Sequence, residues 1–114
     1  MALLNRFANM RYAVQGCLLA LREEQNLWLE VVGGLVLLAV ALAKGIDPTS
    51  TALLVMALGM LLAAEMFNSA LERLANRVQP ERDPAIAAIK DIASGAVFVV
   101  GLAGLVTWVV VVFP

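Results

Sequence analysis

The stretch AAEMFNSALERLANR, residues 63–77, places polar side chains directly after the apolar run TALLVMALGMLL. On a helix, Glu65, Asn68, Glu72 and Asn76 fall within a stripe about 80° wide. A carboxylate at the centre of a membrane helix costs roughly 2.5 to 3.5 kcal/mol of insertion free energy. Such a stripe therefore faces a cavity, another helix or a bound ion rather than lipid, and intramembrane carboxylates are usually functional.

The chemistry open to this stripe is that of carboxylates, because the chain contains no histidine. Glu65 and Glu72 lie about 10 Å apart along a helix axis, too far to hold a small ion alone. Two further carboxylates, Glu24 and Asp91, could complete an oxygen-rich site. Oxygen ligands suit Mg²⁺, especially when phosphate supplies the rest. The plainer alternative is that Asn68 forms an interhelical hydrogen bond.

Composition indicates a membrane protein: 62% of the 114 residues are hydrophobic, and the mean hydropathy is +0.90. This length predicts a single domain over residues 1–114. A net charge of −1 gives no general attraction for nucleic acid. The lone Cys17 excludes an internal disulfide, and the run from Cys17 to Leu21 is too short for a signal peptide.

Three apolar segments, 27–43, 51–64 and 92–113, predict membrane spans, which lie within predicted helices over 27–43, 49–75 and 85–113. The joints between them are KGIDPTS (44–50) and QPERDP (79–84), which contain Gly and Pro turn residues. Residues 1–24 instead alternate apolar and basic residues at helical spacing, which predicts an amphipathic helix in the membrane interface. A cytosolic helix packed on the bundle is the alternative. The predicted fold class is an all-α membrane protein with one surface helix and three spans.

Basic residues predict the orientation of the spans. Seven of the eight lysines and arginines precede the first span or lie between the second and third, and Lys44 is the exception. The positive-inside rule makes that side cytoplasmic. The N-terminus is then cytoplasmic and the C-terminus outside, with the polar stripe at the inner face.

Two motifs carry a family resemblance: EMFNSALE (65–72) and KDIASGAV (90–97). With RYAVQG (11–16) and with Glu24 followed by QNLWLE (25–30), they resemble the prokaryotic diacylglycerol kinase and undecaprenol kinase family. The resemblance covers nearly the whole chain.

This resemblance implies a homotrimeric kinase of the bacterial cytoplasmic (inner) membrane, with active sites shared between subunits, ATP as co-substrate and Mg²⁺ as cofactor. It makes Glu65 the base for the lipid hydroxyl, with Asn68 beside it. The implied Mg²⁺ ligands are Glu24 and Glu72. The implied lipid-binding residues are Glu30, Glu65 and Ser94, and the implied nucleotide-binding residues are Tyr12, Glu24, Glu72, Glu81, Arg82, Asp83, Lys90 and Asp91.

Some positions depart from the family pattern. The family usually has Asp at Asn76, His or another polar residue at Asp83 and Lys at Ala87, and Arg6 is one residue out of register. These departures weaken the phosphate-side assignments.

The resemblance leaves two lipid substrates, undecaprenol and diacylglycerol, one for each branch of the family. Asn26, Pro84 and ASGAV look more like the undecaprenol branch, towards which we lean, and Glu30 with the absence of histidine looks more like the diacylglycerol branch.

Two other function classes compete with a lipid kinase. One is a small ion-coupled transporter, since intramembrane carboxylates also relay protons and cations. A carrier needs polar groups continuing to the far side, but residues 92–113 offer only Ser94 and Thr107. The other is a non-catalytic assembly subunit derived from the kinase, for which Asn76 and Ala87 are the only hints.

Overall fold

The computed structural model describes residues 2–114. These residues form four α-helices: α1 (Ala2–Glu23), α2 (Gln25–Ala43), α3 (Pro48–Val78) and α4 (Pro84–Val112). Within them there is no strand, which confirms the predicted all-helical architecture. α3 runs past the predicted end at residue 75 and stops at Val78. It ends there because the next residue, Gln79, precedes Pro80, and the residue before a proline disfavours helical geometry.

Local sequence signals set the start of the two long helices. Pro48 and Pro84 each occupy the first turn of a helix, where the missing N–H group has no partner to lose. The Asp83 carboxylate caps α4, accepting hydrogen bonds from the backbone N–H groups of Ala85 (2.8 Å) and Ile86 (3.2 Å). Before α3, the turn passes through Gly45 at a φ of 78°, a conformation that favours glycine.

Helices α2, α3 and α4 are long and apolar enough to cross a membrane, with mean hydropathies of 2.0, 1.9 and 2.5 over their most apolar windows. The 29 residues of α4 span about 44 Å, more than the roughly 30 Å of bilayer hydrocarbon. Large apolar side chains point outward from these helices, Phe98 being 68% exposed in the single chain. Lipid or other subunits must cover them.

The bundle formed by α2, α3 and α4 has one apolar and one polar end. At the apolar end, Ala41, Leu54 and Val112 form a small core, and the Trp108 Nε1 atom donates a hydrogen bond to the Leu37 carbonyl oxygen at 2.9 Å. The opposite end contains the C-terminal half of α3 and the first turns of α2 and α4, where the hydrogen bonds between side chains of different elements occur. We call this opposite end the polar end.

Helix α1 is exposed along most of its length and contacts the bundle near its C-terminal end. None of its residues, Ala2–Glu23, is buried, and Phe7 and Met10 are 60% and 63% exposed. A cytosolic helix packed on the bundle would bury its apolar side. The exposed apolar residues therefore fit a helix that lies in the membrane interface.

Candidate functional site

The polar end brings together a carboxyl group from α2 and one from α3. The side chain of Glu30, in α2, meets that of Glu65, in α3. Both residues are half-buried, as is Asn68 one turn further along α3. Glu72 lies on the same stripe but is exposed and closer to the end of α3 at Val78. The deeper carboxylate, Glu65, is thus the better candidate for a base, and Glu72 the better candidate for a metal ligand.

Two buried acceptors near Glu65 lack a hydrogen-bond partner among the described residues. They are the Oε2 atom of Glu30 and the Oδ1 atom of Asn68. Buried polar atoms are nearly always satisfied, so these two atoms are available to a partner from outside the chain. Because both atoms accept hydrogen bonds, that partner must be a donor such as a hydroxyl group.

An ion pair joins the α1–α2 joint to α3. The guanidinium group of Arg73 donates to the Oε1 atom of Glu24 from Nη2 at 2.8 Å and from Nε at 3.2 Å. Its Nη2 atom also lies 3.3 Å from the Oε1 atom of Glu23. Glu24 is the single residue between the end of α1 and the start of α2. Arg73 therefore fixes the position of a carboxylate that the family resemblance assigns to metal.

A second polar contact joins α3 to α4. The Nζ atom of Lys90 donates a hydrogen bond to the Oδ1 atom of Asn76. Asp91 follows on the exposed side of α4, and Ser94, one turn further on, is also exposed. Lys90 and Asp91 thus lie at the same end of the bundle as Glu72.

The remaining predicted nucleotide-binding residues do not gather at this site in the single chain. Tyr12 is 67% exposed on α1, and Glu81 and Arg82 lie exposed between α3 and α4. Asp83 is occupied as the N-cap of α4, a structural role that the sequence analysis did not assign. The capping uses its Oδ1 atom.

The donor set at the polar end fits Mg²⁺ better than a metal that needs a protein cage. No group of three or more His, Cys, Asp or Glu residues within 2–114 is arranged to hold an ion. Mg²⁺ is usually held by one or two carboxylates together with substrate phosphates and water. Glu24, before the first residue of α2, and Glu72, in the C-terminal half of α3, are the carboxylates at this end that the family resemblance assigns to Mg²⁺.

Fold and site together define an all-helical membrane protein with carboxylates at one end of its bundle. The family model for prokaryotic diacylglycerol kinase matches residues 11–112. A curated Diacylglycerol kinase of Pseudomonas aeruginosa is 34% identical over 97 residues, covering 85% of this chain and 79% of that protein. The chain belongs to the prokaryotic diacylglycerol kinase family, as the resemblance predicted. It is a lipid kinase and a multi-pass membrane protein, and a kinase uses ATP as phosphoryl donor.

Sequence reasoning missed two partners in this site. The sequence indicates no role in the site for Arg73, yet this residue binds Glu24. Asn76 is placed in the polar stripe and departs from the family pattern, but the sequence indicates no partner for it, and in the structure it accepts a hydrogen bond from Lys90. Charge balance could have indicated the ion pair, because Arg73, the cation next to Glu72 on a carboxylate-rich face, needs an anionic partner. The sequence does not show which carboxylate that partner is.

Proposed function

We propose that this chain transfers the γ-phosphoryl group of Mg-ATP to the hydroxyl group of a membrane lipid alcohol at the cytoplasmic face of the membrane. Family membership supports the lipid kinase reaction and disfavours the ion-coupled transporter. The gathering of polar contacts at one end of the bundle supports a site at the membrane surface, which ATP in water and a lipid in the bilayer can both reach.

The observation that carries this proposal is the pair of unpartnered buried acceptors beside Glu65. A lipid hydroxyl is a hydrogen-bond donor that arrives from the bilayer, at the depth where Glu30 Oε2 and Asn68 Oδ1 lie unpaired. Binding there places the hydroxyl proton next to the Glu65 carboxylate, because Glu30 and Glu65 meet. A water molecule could satisfy the same acceptors, so the assay below uses the lipid alcohol itself.

Glu65 is the proposed general base. The hydroxyl oxygen of the lipid forms a bond to the γ-phosphorus atom of ATP, and the bond from that phosphorus to the β–γ bridging oxygen breaks. ADP leaves, and the hydroxyl proton passes to the Glu65 carboxylate. Asn68, one turn along α3 from Glu65, lies beside the bound hydroxyl group, whose single proton goes to Glu65. Phosphoryl transfer requires mainly alignment and charge neutralisation from the protein, and these residues provide the alignment.

The nucleotide side is proposed at the water-facing part of the polar end. Glu24 and Glu72 would hold Mg²⁺, which neutralises negative charge on the phosphates when bound. Lys90 adds a positive charge there, and Asp91 follows it in the sequence at the same end. The further proposed nucleotide contacts, taken from the family resemblance, are Tyr12, Glu81, Arg82 and Asp83.

A homotrimer is the proposed assembly. Tyr12, Glu81 and Arg82 are exposed, and they form none of the side-chain hydrogen bonds or ion pairs found within residues 2–114. The largely uncovered apolar surface of α2, α3 and α4 must also be covered, either by lipid or by other subunits. Active sites shared between subunits would bring these separated residues together.

The proposed lipid substrate is diacylglycerol, which the name of the Pseudomonas aeruginosa relative supports. Undecaprenol is the second candidate, because Asn26 and Pro84 resemble that branch of the family. Ser94 and Glu30 are the proposed lipid-side residues.

The test is phosphorylation by the purified protein in mixed micelles with radiolabelled ATP, Mg²⁺ and one lipid alcohol at a time. We expect label in the lipid monophosphate only when Mg²⁺ or a similar hard cation is present. The ratio of kcat/KM for diacylglycerol and undecaprenol decides the substrate. No transfer to either lipid by the fully assembled protein would contradict the proposal and favour a non-catalytic subunit.

A further inference from the structure

Arg73 and Glu24 form the ion pair with the closest geometry in the described part of the chain. Two guanidinium nitrogens, Nη2 and Nε, converge on one oxygen, Glu24 Oε1, at 2.8 and 3.2 Å. The pair also bridges separate elements, since Arg73 lies in α3 and Glu24 in the joint between α1 and α2. Both side chains remain accessible to water, Arg73 at 47% and Glu24 at 29% exposure.

Arg73 therefore occupies the carboxylate to which the proposed function assigns Mg²⁺. A guanidinium group and a divalent ion on the same carboxylate repel each other strongly over a few ångströms. We propose that Arg73 is a resident counter-ion for Glu24, which holds this carboxylate in the metal-free enzyme and must leave it when the metal binds. This inference rests on the proposed function, because it takes Glu24 as a metal ligand.

The exposure of the pair makes such an exchange feasible. Charge pairs that are half open to water contribute little net stability, because water and salt screen them and both side chains lose freedom. A metal ion arriving from water can thus displace Arg73 at small cost. A fully buried pair would resist displacement, since breaking it leaves an uncompensated charge.

The exchange also links metal binding to the α1–α2 joint. Arg73 contacts Glu23, the last residue of α1, as well as Glu24. Both residues are released when the guanidinium group moves away. A groove lies between α1 and α3, and its lining includes Gly16, Glu24, Ser69 and Arg73. Among the described residues, the ion pairs of Arg73 are the only ones that connect the two sides of this groove, and they are lost when the guanidinium group moves away.

The test measures the affinity of Mn²⁺, used as a probe for Mg²⁺, by the electron paramagnetic resonance signal of the free ion. It uses the full-length assembled protein in detergent without nucleotide. We expect Arg73→Gln to tighten Mn²⁺ binding about two- to fivefold, which corresponds to the worth of a half-exposed ion pair. Arg77→Gln is the matched control, because Arg77 lies on the same helix and is in none of the ion pairs formed within residues 2–114. It should leave the affinity unchanged.

A second pair of variants separates the inference from the function on which it rests. Glu24→Gln should weaken Mn²⁺ binding; if it does not, the proposed metal site is wrong and the inference falls with it. If Glu24→Gln weakens binding while Arg73→Gln leaves it unchanged or weakens it, only the inference is overturned. Should Arg73→Gln fail to assemble, Arg73→Lys replaces it. Lysine cannot form the two-nitrogen contact, so this variant should also bind Mn²⁺ more tightly than the unmodified protein.

Discussion

Lys90 donates a hydrogen bond from its Nζ atom to the amide oxygen of Asn76, which joins the start of α4 to the end of α3. The family resemblance places an aspartate at the position of Asn76. In this chain the neutral amide satisfies one of the three donors of the ammonium group without cancelling its charge. Lys90 thus keeps its full positive charge, and the proposed nucleotide site would use this charge for phosphate binding.

Asn76→Asp should convert this hydrogen bond into an exposed ion pair. We expect it to raise the free energy of unfolding by about 0.2–1 kcal/mol at low salt and by less at high salt. The measurement is thermal unfolding of the assembled protein in detergent at two ionic strengths. Repeating the substitution in a Lys90→Met background is the control. An equal gain without Lys90 would show that the contact with Lys90 is not its source.

The helices and their joints were readable from the sequence because apolar runs and prolines are local signals. Pro48 and Pro84 mark the starts of α3 and α4, and Gly45 marks the turn before α3. The end of α3 was less clear, since the polar residues after Leu74 give no apolar period to follow. The contacts between helices were not readable, because they depend on packing between residues distant in sequence.

Two adjacent glycines of α2 offer a test of that packing. A Cβ atom added at Gly34 would lie 2.3 Å from Leu58 Cδ1, in α3, whereas one added at Gly33 meets nothing within 4 Å. Replacing a helical glycine by alanine gains up to about 1 kcal/mol in helix propensity. We expect Gly33→Ala to keep this gain and Gly34→Ala to lose much of it, because the Leu58 side chain must move.

Thermal unfolding of the two variants, measured side by side in the same detergent, gives the difference. Gly34→Ala should have the lower midpoint. The reverse order would mean that Gly33 packs against a neighbouring subunit and that Leu58 adapts freely.

The proposed orientation can be tested by labelling single cysteines in a Cys17→Ser background. Asp47 lies in the exposed joint between α2 and α3, and Arg82 in the exposed joint between α3 and α4. We expect Asp47→Cys in intact cells to react with an impermeant thiol reagent, and Arg82→Cys to react only after the membrane is opened. Reversed labelling would place Lys90 and Glu72 away from cytosolic ATP and contradict the proposed function.

Substitution of either proposed metal ligand should cause the same defect in nucleotide binding. Glu24→Gln and Glu72→Gln should each abolish Mg²⁺-dependent binding of ATP, because an amide oxygen is a much weaker ligand for Mg²⁺ than a carboxylate. The assembly should persist, since both side chains are accessible to water. Equilibrium binding of a non-hydrolysable ATP analogue, with and without Mg²⁺, provides the measurement. Mg²⁺-dependent binding of normal affinity in either variant would remove that residue from the metal site.

The polar stripe of α3 is the feature of the candidate site that is easiest to find in the sequence, because a charge beside an apolar run is conspicuous. Sequence placed Glu65, Asn68 and Glu72 on one stripe, and the described structure keeps all three at one end of α3. It did not indicate that Glu30, from α2, would meet Glu65. That contact depends on how α2 and α3 are aligned along their axes, which the spacing of residues within either helix does not determine.

Glu65→Gln tests the centre of the proposed reaction. Glutamine keeps the size of the side chain and much of its hydrogen bonding but cannot take a proton. We expect kcat to fall by about 10²- to 10⁴-fold, the usual contribution of a positioned general base. Nucleotide affinity should barely change, because Glu24 and Glu72 are retained as proposed metal ligands.

Stability separates this role from a structural one. The free energy of unfolding of Glu65→Gln should hold or rise, because the substitution removes a half-buried charge that lies against Glu30. The matched variant Glu30→Gln relieves the same contact from the other side but leaves the base in place, so its kcat should fall far less. If Glu65 were only structural, the assembly would be disturbed and activity would fall in proportion to the protein lost. Near-normal kcat in well-assembled Glu65→Gln would show that another group takes the hydroxyl proton.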